Sequence, residues 1–257
     1  MTAQQLLSPL RRAVDTYGMI RSGDKIAVGV SGGKDSVTLL TLLAALKRFY
    51  PAPFELSAIF IDMGLDYSDA ERSALENYCA ALSVPLITEK TDIGAILFDV
   101  RKEQNPCSLC SKLRRGALNT VAAREGCNKL ALGHHADDLV ETFFLSMFFE
   151  GRLSTFEPIT YLDRSKMTVI RPMIFIEEKD VSAFAKDLPI VHNPCPADKH
   201  TKRQTVKEMI ADVKKQIPFA KDRILSALYS PERNHLFDDA IKKLREQGYY
   251  TDENIPL

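Results

Sequence analysis

Short apolar runs alternate with longer amphipathic ones along most of the chain. Lys25 to Val30 (KIAVGV) is a β-branched run ending at a glycine-rich turn, and Leu56 to Ile61 (LSAIFI) is a second run of strand length. Val84 to Ile87 and Lys129 to Leu132 continue the series. Helical periods fill the gaps. Ser36 to Phe49 is strongly apolar, and Asp69 to Leu82 places Ala70, Ala74, Leu75, Tyr78, Cys79 and Leu82 at helical spacing. Leu113 to Arg124 is a third helix, stopped near Gly126. Asp138 to Glu150, with Phe143, Phe144, Met147 and Phe148, is a fourth, closed by Gly151. Beyond about residue 199 only helical spacing remains, and no internal repeat or low-complexity tract interrupts the chain. The alternation predicts an α/β fold, a Rossmann-like parallel sheet with helices on both faces. Residues 1–198 form the predicted main domain, and residues 199–257 a helical C-terminal extension packed on it. Ligands of such sheets collect at the carboxyl ends of the strands.

The first strand runs into Ser31-Gly32-Gly33-Lys34-Asp35-Ser36, and a helix follows at once. Glycines let a backbone approach a phosphate, and a helix N-terminus offers free N–H groups and a positive dipole end. Lys34 adds a full charge. The spacing is too short for the G-x-x-x-x-G-K-[ST] loop. A tight turn with Asp35 or Ser36 capping the helix is the purely structural alternative. Gly133-His134-His135-Ala136-Asp137-Asp138 follows the fourth strand, at the same predicted edge. Paired carboxylates there suit a magnesium ion bridging phosphates. An N-cap aspartate would need no ligand, and both histidines read as structural. Asp62 ends the second strand, where it would face the same ligand.

Composition narrows the classes. The 257 residues are 45% hydrophobic, enough for a sizeable core, and 34 basic residues balance 34 acidic ones. With no net field, any contact with nucleic acid must use local patches. No apolar run approaches the roughly 20 residues that span a bilayer, and MTAQQLLSPLRRAVD lacks a signal-peptide core. A cytoplasmic protein with no membrane association is expected. Its five cysteines should then be reduced, metal-bound or catalytic. Cys107 and Cys110 form a C-x-x-C pair placed before the predicted helix, and Cys195 sits in Asn193-Pro194-Cys195-Pro196. A redox pair, part of a zinc site and part of an iron–sulfur site all remain open on spacing alone. Cys79 and Cys127 lie in apolar settings and read as structural thiols. Two basic patches flank the other cysteines. Arg101, Lys102, Lys112, Arg114 and Arg115 oppose Glu103, while Lys199, Lys202, Arg203, Lys207, Lys214 and Lys215 oppose Glu208 and Asp212. Such patches suit RNA phosphates, although charge runs are usually solvated helix faces.

The S-G-G-K-D-S string resembles the signature of the PP-loop ATP pyrophosphatases. P-C-S-L-C-S-K-L-R-R-G, A-L-G-H-H-A-D-D, V-I-R-P-M, E-E-K-D-V, N-P-C-P and R-Q-T-V-K-E-M then occur in order, across roughly residues 20–215. Together they resemble the tRNA 2-thiocytidine synthetase (TtcA-like) family. The resemblance implies that Cys107, Cys110 and Cys195 hold a 4Fe-4S cluster, with one iron free to carry sulfur. It implies ATP and Mg2+ at Ser31, Gly32, Gly33, Lys34, Asp35 and Ser36, with Asp62, Arg114, Gly133 and Asp138 nearby. Lys34, Asp138 and the three cysteines would be the catalytic set. The implied reaction adenylates C2 of cytidine 32 in tRNA, releases pyrophosphate and exchanges oxygen for sulfur. A cysteine desulfurase would supply the sulfur, and the chain would be a homodimer. One departure weakens the Asp62 match: the chain reads Ile61-Asp62-Met63 where the family tends to read L-D-Q. Thiolation of another base, such as 2-thiouridine, is the nearer rival. The chain lacks the extra C-x-x-C pairs of thiouridine enzymes, which favours cytidine. A non-catalytic metal- or RNA-binding module is the more distant rival.

Overall fold

The computed structural model describes residues 1–101, 106–191, 194–195, 202–230 and 246–247. The described residues build a six-stranded sheet from β1 (Lys25–Gly29), β2 (Glu55–Asp62), β3 (Leu86–Lys90), β4 (Lys129–Ala131), β5 (Ile159–Leu162) and β6 (Met167–Ile170). The order is β3-β2-β1-β4-β6-β5. All neighbours pair in parallel except β5, which joins β6 antiparallel. The sheet is therefore mixed, not wholly parallel. β5 and β6 escape the sequence pattern because each is four residues long and only partly apolar. An antiparallel strand on the edge of a doubly wound sheet is a common way to end one.

Helices cover both faces. Val28, Ala58 and Phe60 point to one side, where α2 (Lys34–Lys47) contacts β1 and β2 and packs against α1 (Ala3–Tyr17) and α7 (Glu178–Phe184). Ala27, Ile59, Ile61 and Leu130 point to the other. They join Val121 and Ala122 of α5 (Pro106–Arg124) and Ile93 of α4 (Ile93–Ala95), which continues as a π-helical turn through Leu97. The period-2 alternation of the strands thus feeds two apolar layers. α3 (Asp69–Ala81) packs on β3, and α6 (Ala136–Glu150) follows β4.

The chain divides into two compact units, Met1–Lys207 and Glu208–Leu257. The first contains the sheet and the opening turns of α8 (Lys202–Gln216); the second contains the rest of α8 and α9 (Ala220–Tyr229). Most of the chain from Pro231 onward, together with Lys102, Glu103 and Lys199 of the basic patches, lies outside the described residues. Among the described residues, no helix is long and apolar enough to cross a membrane.

Candidate active site

Strand order places the site. β1 feeds rightward to β2 through α2, while β4 lies on its other side, so the chain changes direction between β1 and β4. Crevices open at such switch points, beyond the carboxyl ends of the strands. A cleft of about 460 Å3 lies here. Gly29, Val30, Ser31, Asp35 and Ser36 line it from the β1 side, and Leu132, Gly133, His134 and Asp138 from the β4 side. Gly133 permits the close approach of the two loops, since a Cβ there would lie 3.0 Å from the Asp35 carbonyl.

The loop after β1 is shaped by its own hydroxyls. Ser31 N–H donates to Ser36 Oγ at 3.1 Å, and Ser36 Oγ donates to the Gly33 carbonyl at 2.9 Å. Gly33 caps α2 without a side-chain bond, whereas Thr2, Ser68 and His135 cap α1, α3 and α6 with theirs. An uncapped helix start keeps N–H groups and the positive dipole end available to an anion. Gly32 has φ +81°. Its carbonyl accepts the Val191 N–H at 3.0 Å. Val191 is thereby pinned to the loop.

The other wall is one stripe of α5. Cys107, Cys110, Ser111, Arg114, Arg115 and Leu118 all line the cleft. Their steps of three and four residues lie on one helix face. The cysteine pair does not precede the helix, as the sequence suggested. It sits in the first turns of α5, which starts at Pro106. Proline is favoured at a first helical position, so the apparent breaker is a start signal. Cys195 completes the wall. Three thiols from two distant segments therefore share one cleft with the glycine loop. Among the described residues, no group of three or more His, Cys, Asp or Glu is arranged to hold a single metal ion.

The chain matches the PP-loop domain family over residues 3–214. It is 39% identical over 246 residues to a tRNA-cytidine(32) 2-sulfurtransferase of Pelobacter propionicus, covering 94% of this chain and 91% of the relative. A second such enzyme, from Geobacter sulfurreducens, is 38% identical over 94% of this chain and 95% of its own length. The chain belongs to the tRNA-cytidine(32) 2-sulfurtransferase family of PP-loop proteins. Its fold is similar to that of the U34-tRNA thiolase NcsA from Methanococcus maripaludis, solved with its 4Fe-4S cluster. The TM-score is 0.71 at 26% identity, covering 89% of this chain and 78% of that one.

Some motif residues of this family member stand in the cleft wall and others support it. Ser31, Asp35, Ser36, Arg114, Gly133, Asp138 and the three cysteines line the cleft; Gly32, Gly33, Lys34 and Asp62 do not. Lys34 Nζ instead donates to Asp35 Oδ1 at 2.8 Å and Glu178 Oε1 at 3.2 Å. Asp62 is buried, pairs with Arg72 at 3.1 Å and accepts the Gly64 N–H at 3.0 Å. It shapes the Met63–Leu65 turn, and both of those side chains reach the cleft. Asp138 and His135 form a reciprocal helix cap: Asp138 Oδ2 accepts the His135 N–H at 3.0 Å, and His135 Nδ1 accepts the Asp138 N–H at 3.4 Å. Asp138 Oδ1 also accepts from Arg203 at 3.3 Å. His134 lines the cleft against Phe156, and burial drives its pKa down to about 4, so it is neutral near pH 7. Burial pushes the Cys110 thiol up, while Arg114 beside it pulls the other way.

Several neighbours were not read from the sequence as residues of this site. Arg203 donates to the buried Glu141 at 2.8 Å and to Thr142 at 3.3 Å, and Lys207 donates to Glu178 at 2.6 Å. Both belong to the basic patch read as solvated or RNA-facing, yet both turn toward carboxylates around the site. Lys202 lies over the Phe149 ring at 4.5 Å, and Lys215 pairs with Asp212. R-Q-T-V-K-E-M contains Arg203 and Lys207, and E-E-K-D-V contains Glu178. The motifs were visible; their partners were not.

Proposed function

We propose that the protein is an ATP-dependent tRNA sulfurtransferase that converts cytidine 32 of tRNA to 2-thiocytidine. The observation that carries this reading is the meeting of three thiols and the glycine loop in one cleft, in a chain 39% identical to tRNA-cytidine(32) 2-sulfurtransferases. The cleft volume lies in the usual range for small-molecule sites. The uncapped N-terminus of α2 and Lys34 would neutralise the ATP phosphates. Ser31, Asp35, Ser36 and Gly133 would frame them, and Asp138 would orient Mg2+ or the reacting group. The target base must leave its stack to reach the cleft. Its C2 oxygen then displaces pyrophosphate from the α-phosphorus of ATP. A sulfur nucleophile next displaces AMP from C2. Adenylation makes that second step feasible, because AMP leaves where a bare oxygen would not.

The donor set fits a cluster held by three protein thiolates, because Cys107, Cys110 and Cys195 face one space and a thiolate is the usual ligand of such iron. A 4Fe-4S cluster bound there would supply an iron with an open position for the sulfur to be transferred. Arg114 and Arg115 place positive charge beside the thiols, where substrate phosphate would pass. A cysteine desulfurase as donor, a homodimer and a cytoplasmic location complete the proposal. Mass spectrometry of tRNA nucleosides from a strain lacking this protein is the direct test. Loss of 2-thiocytidine, restored by the intact gene, is expected; retention of 2-thiocytidine with loss of a thiouridine would transfer the reading to the rival base.

A further inference from the structure

Glu178 joins two lysines from different parts of the fold. It opens α7, and its backbone N–H donates to Asp137 Oδ2 at 2.7 Å, tying α7 to the first turn of α6. Its Oε1 accepts from Lys34 of α2 at 3.2 Å and its Oε2 from Lys207 of α8 at 2.6 Å. Lys34 also holds Asp35 at 2.8 Å. Asp35, Lys34, Glu178 and Lys207 thus form a row of alternating charge. Burial would raise the Glu178 carboxyl, but Lys207 and Lys34 outweigh it and hold its pKa at about 2. Burial would lower the Lys34 ammonium, but Asp35 and Glu178 hold it above the ordinary lysine value. Both groups are fully charged near pH 7.

Lys34 is therefore occupied by two carboxylates and does not line the cleft. The ammonium keeps a third N–H, but to reach a phosphate inside the cleft it must move away from at least one of these carboxylates. Leaving a half-buried carboxylate without its cation is costly. Glu178 avoids that cost because Lys207 stays bound to its other oxygen.

We propose that Glu178 and Lys207 set how available Lys34 is to ATP: Glu178 competes with the phosphates for the ammonium, and Lys207 keeps Glu178 paired when Lys34 turns to ATP. This rests on the reading of Lys34 as a phosphate-binding residue. The exchange gives the two partners opposite signs. Glu178→Gln removes the competing charge, so ATP should bind more tightly. Lys207→Ala strengthens the demand of Glu178 on Lys34, so ATP should bind more weakly. In the double variant Lys207→Ala has lost its target and should add nothing. A merely structural role for the row would weaken binding in both single variants.

The test is the equilibrium affinity for MgATP, measured by calorimetry on the full-length, cluster-loaded protein without tRNA. Thermal unfolding of each variant shows that it is folded. The pairs are partly exposed, so shifts of about two- to fivefold are expected in each direction. The double variant should match Glu178→Gln, and Lys207→Arg should match the unmodified protein. Same-direction shifts, no shift in either single variant, or strict additivity in the double variant would overturn the exchange. Lys34→Ala separates the two levels. If it binds MgATP as well as the unmodified protein does, the phosphate role itself falls. If it binds poorly while Glu178→Gln and Lys207→Ala bind normally, only the exchange falls.

Discussion

Gly32 shows how much one residue can carry. A Cβ at that position would lie 2.5 Å from Cβ of Val191, and φ +81° disfavours any L side chain. Gly32→Ala should therefore destabilise the fold by roughly 1–3 kcal/mol, read as a lower Tm, and should reduce iron content by moving the Cys195 segment. Unchanged Tm and iron would show that the contact yields easily. The cysteines permit a sharper contrast. Anaerobic reconstitution should give about four irons per chain, lost in Cys195→Ala and retained in Cys79→Ala. Cys79 is 1% exposed, and burial pushes its thiol up to about 11, so it is a poor thiolate. Equal loss in both variants would remove Cys195 from the ligand set. Lys34→Ala and Asp138→Asn should each cut thiolation by about 100- to 1000-fold while leaving iron content unchanged, because in the proposed function each would act on ATP and neither on the cluster. Asparagine keeps the cap acceptor for His135, which separates chemistry from folding. At this scale the sequence was legible wherever a residue's role follows from local backbone. It was silent where the partner is remote, as with Lys34 and Glu178, which lie 144 positions apart.

Elements add what single residues cannot. α5 turns a C-x-x-C pair and two arginines into one wall, and its start at Pro106 was missed because its first turns carry few apolar residues. β5 and β6 were missed for a related reason: four-residue strands leave too little alternation to read. α8 carries the second element-scale device. Arg203 reaches Asp138 and Glu141, and Glu141 is 5% exposed. Burial raises the Glu141 carboxyl, and Arg203 is the largest influence opposing it. Arg203→Ala should then cost about 1–3 kcal/mol near pH 7, where a buried carboxylate loses its main partner. The sign with pH follows from linkage. Removing Arg203 raises the folded pKa of Glu141 further above its ordinary 4.5, so the folded state binds the proton more tightly than the unfolded state. The variant's deficit should grow as pH rises from 4.5 through that raised value and shrink in acid. Denaturant melts at pH 4.5 and pH 8 measure it. A deficit that is larger in acid would mean that Glu141 is not the group left unpaired.

At the scale of the whole molecule, the alternation of strands and helices predicted the α/β sheet. The order β3-β2-β1-β4-β6-β5 was not legible, because strand neighbours depend on crossovers that local periodicity does not encode. That order opens the crevice between β1 and β4, and so brings Ser31, Asp138, Cys107, Cys110 and Cys195 to one place from four regions of the chain. With balanced charge overall, no global field draws in a polyanion, so in the proposed function this local assembly would have to gather both the RNA and the nucleotide. Activation of the base constrains which phosphate bond should break. A base oxygen inside the cleft must reach a phosphorus held over the glycine loop, and the leaving group must exit while the base stays activated. Attack at the α-phosphorus leaves AMP on the base and releases pyrophosphate in one piece. Attack at the γ-phosphorus would release ADP and leave a phosphoryl group on the base. The PP-loop family match and the short S-G-G-K-D-S loop both point to the first outcome. Incubation of the cluster-loaded protein with α-labelled ATP and substrate tRNA should yield AMP, with one pyrophosphate released per thiolated base. Stoichiometric ADP and phosphate would overturn the assigned chemistry, whichever base carries the sulfur.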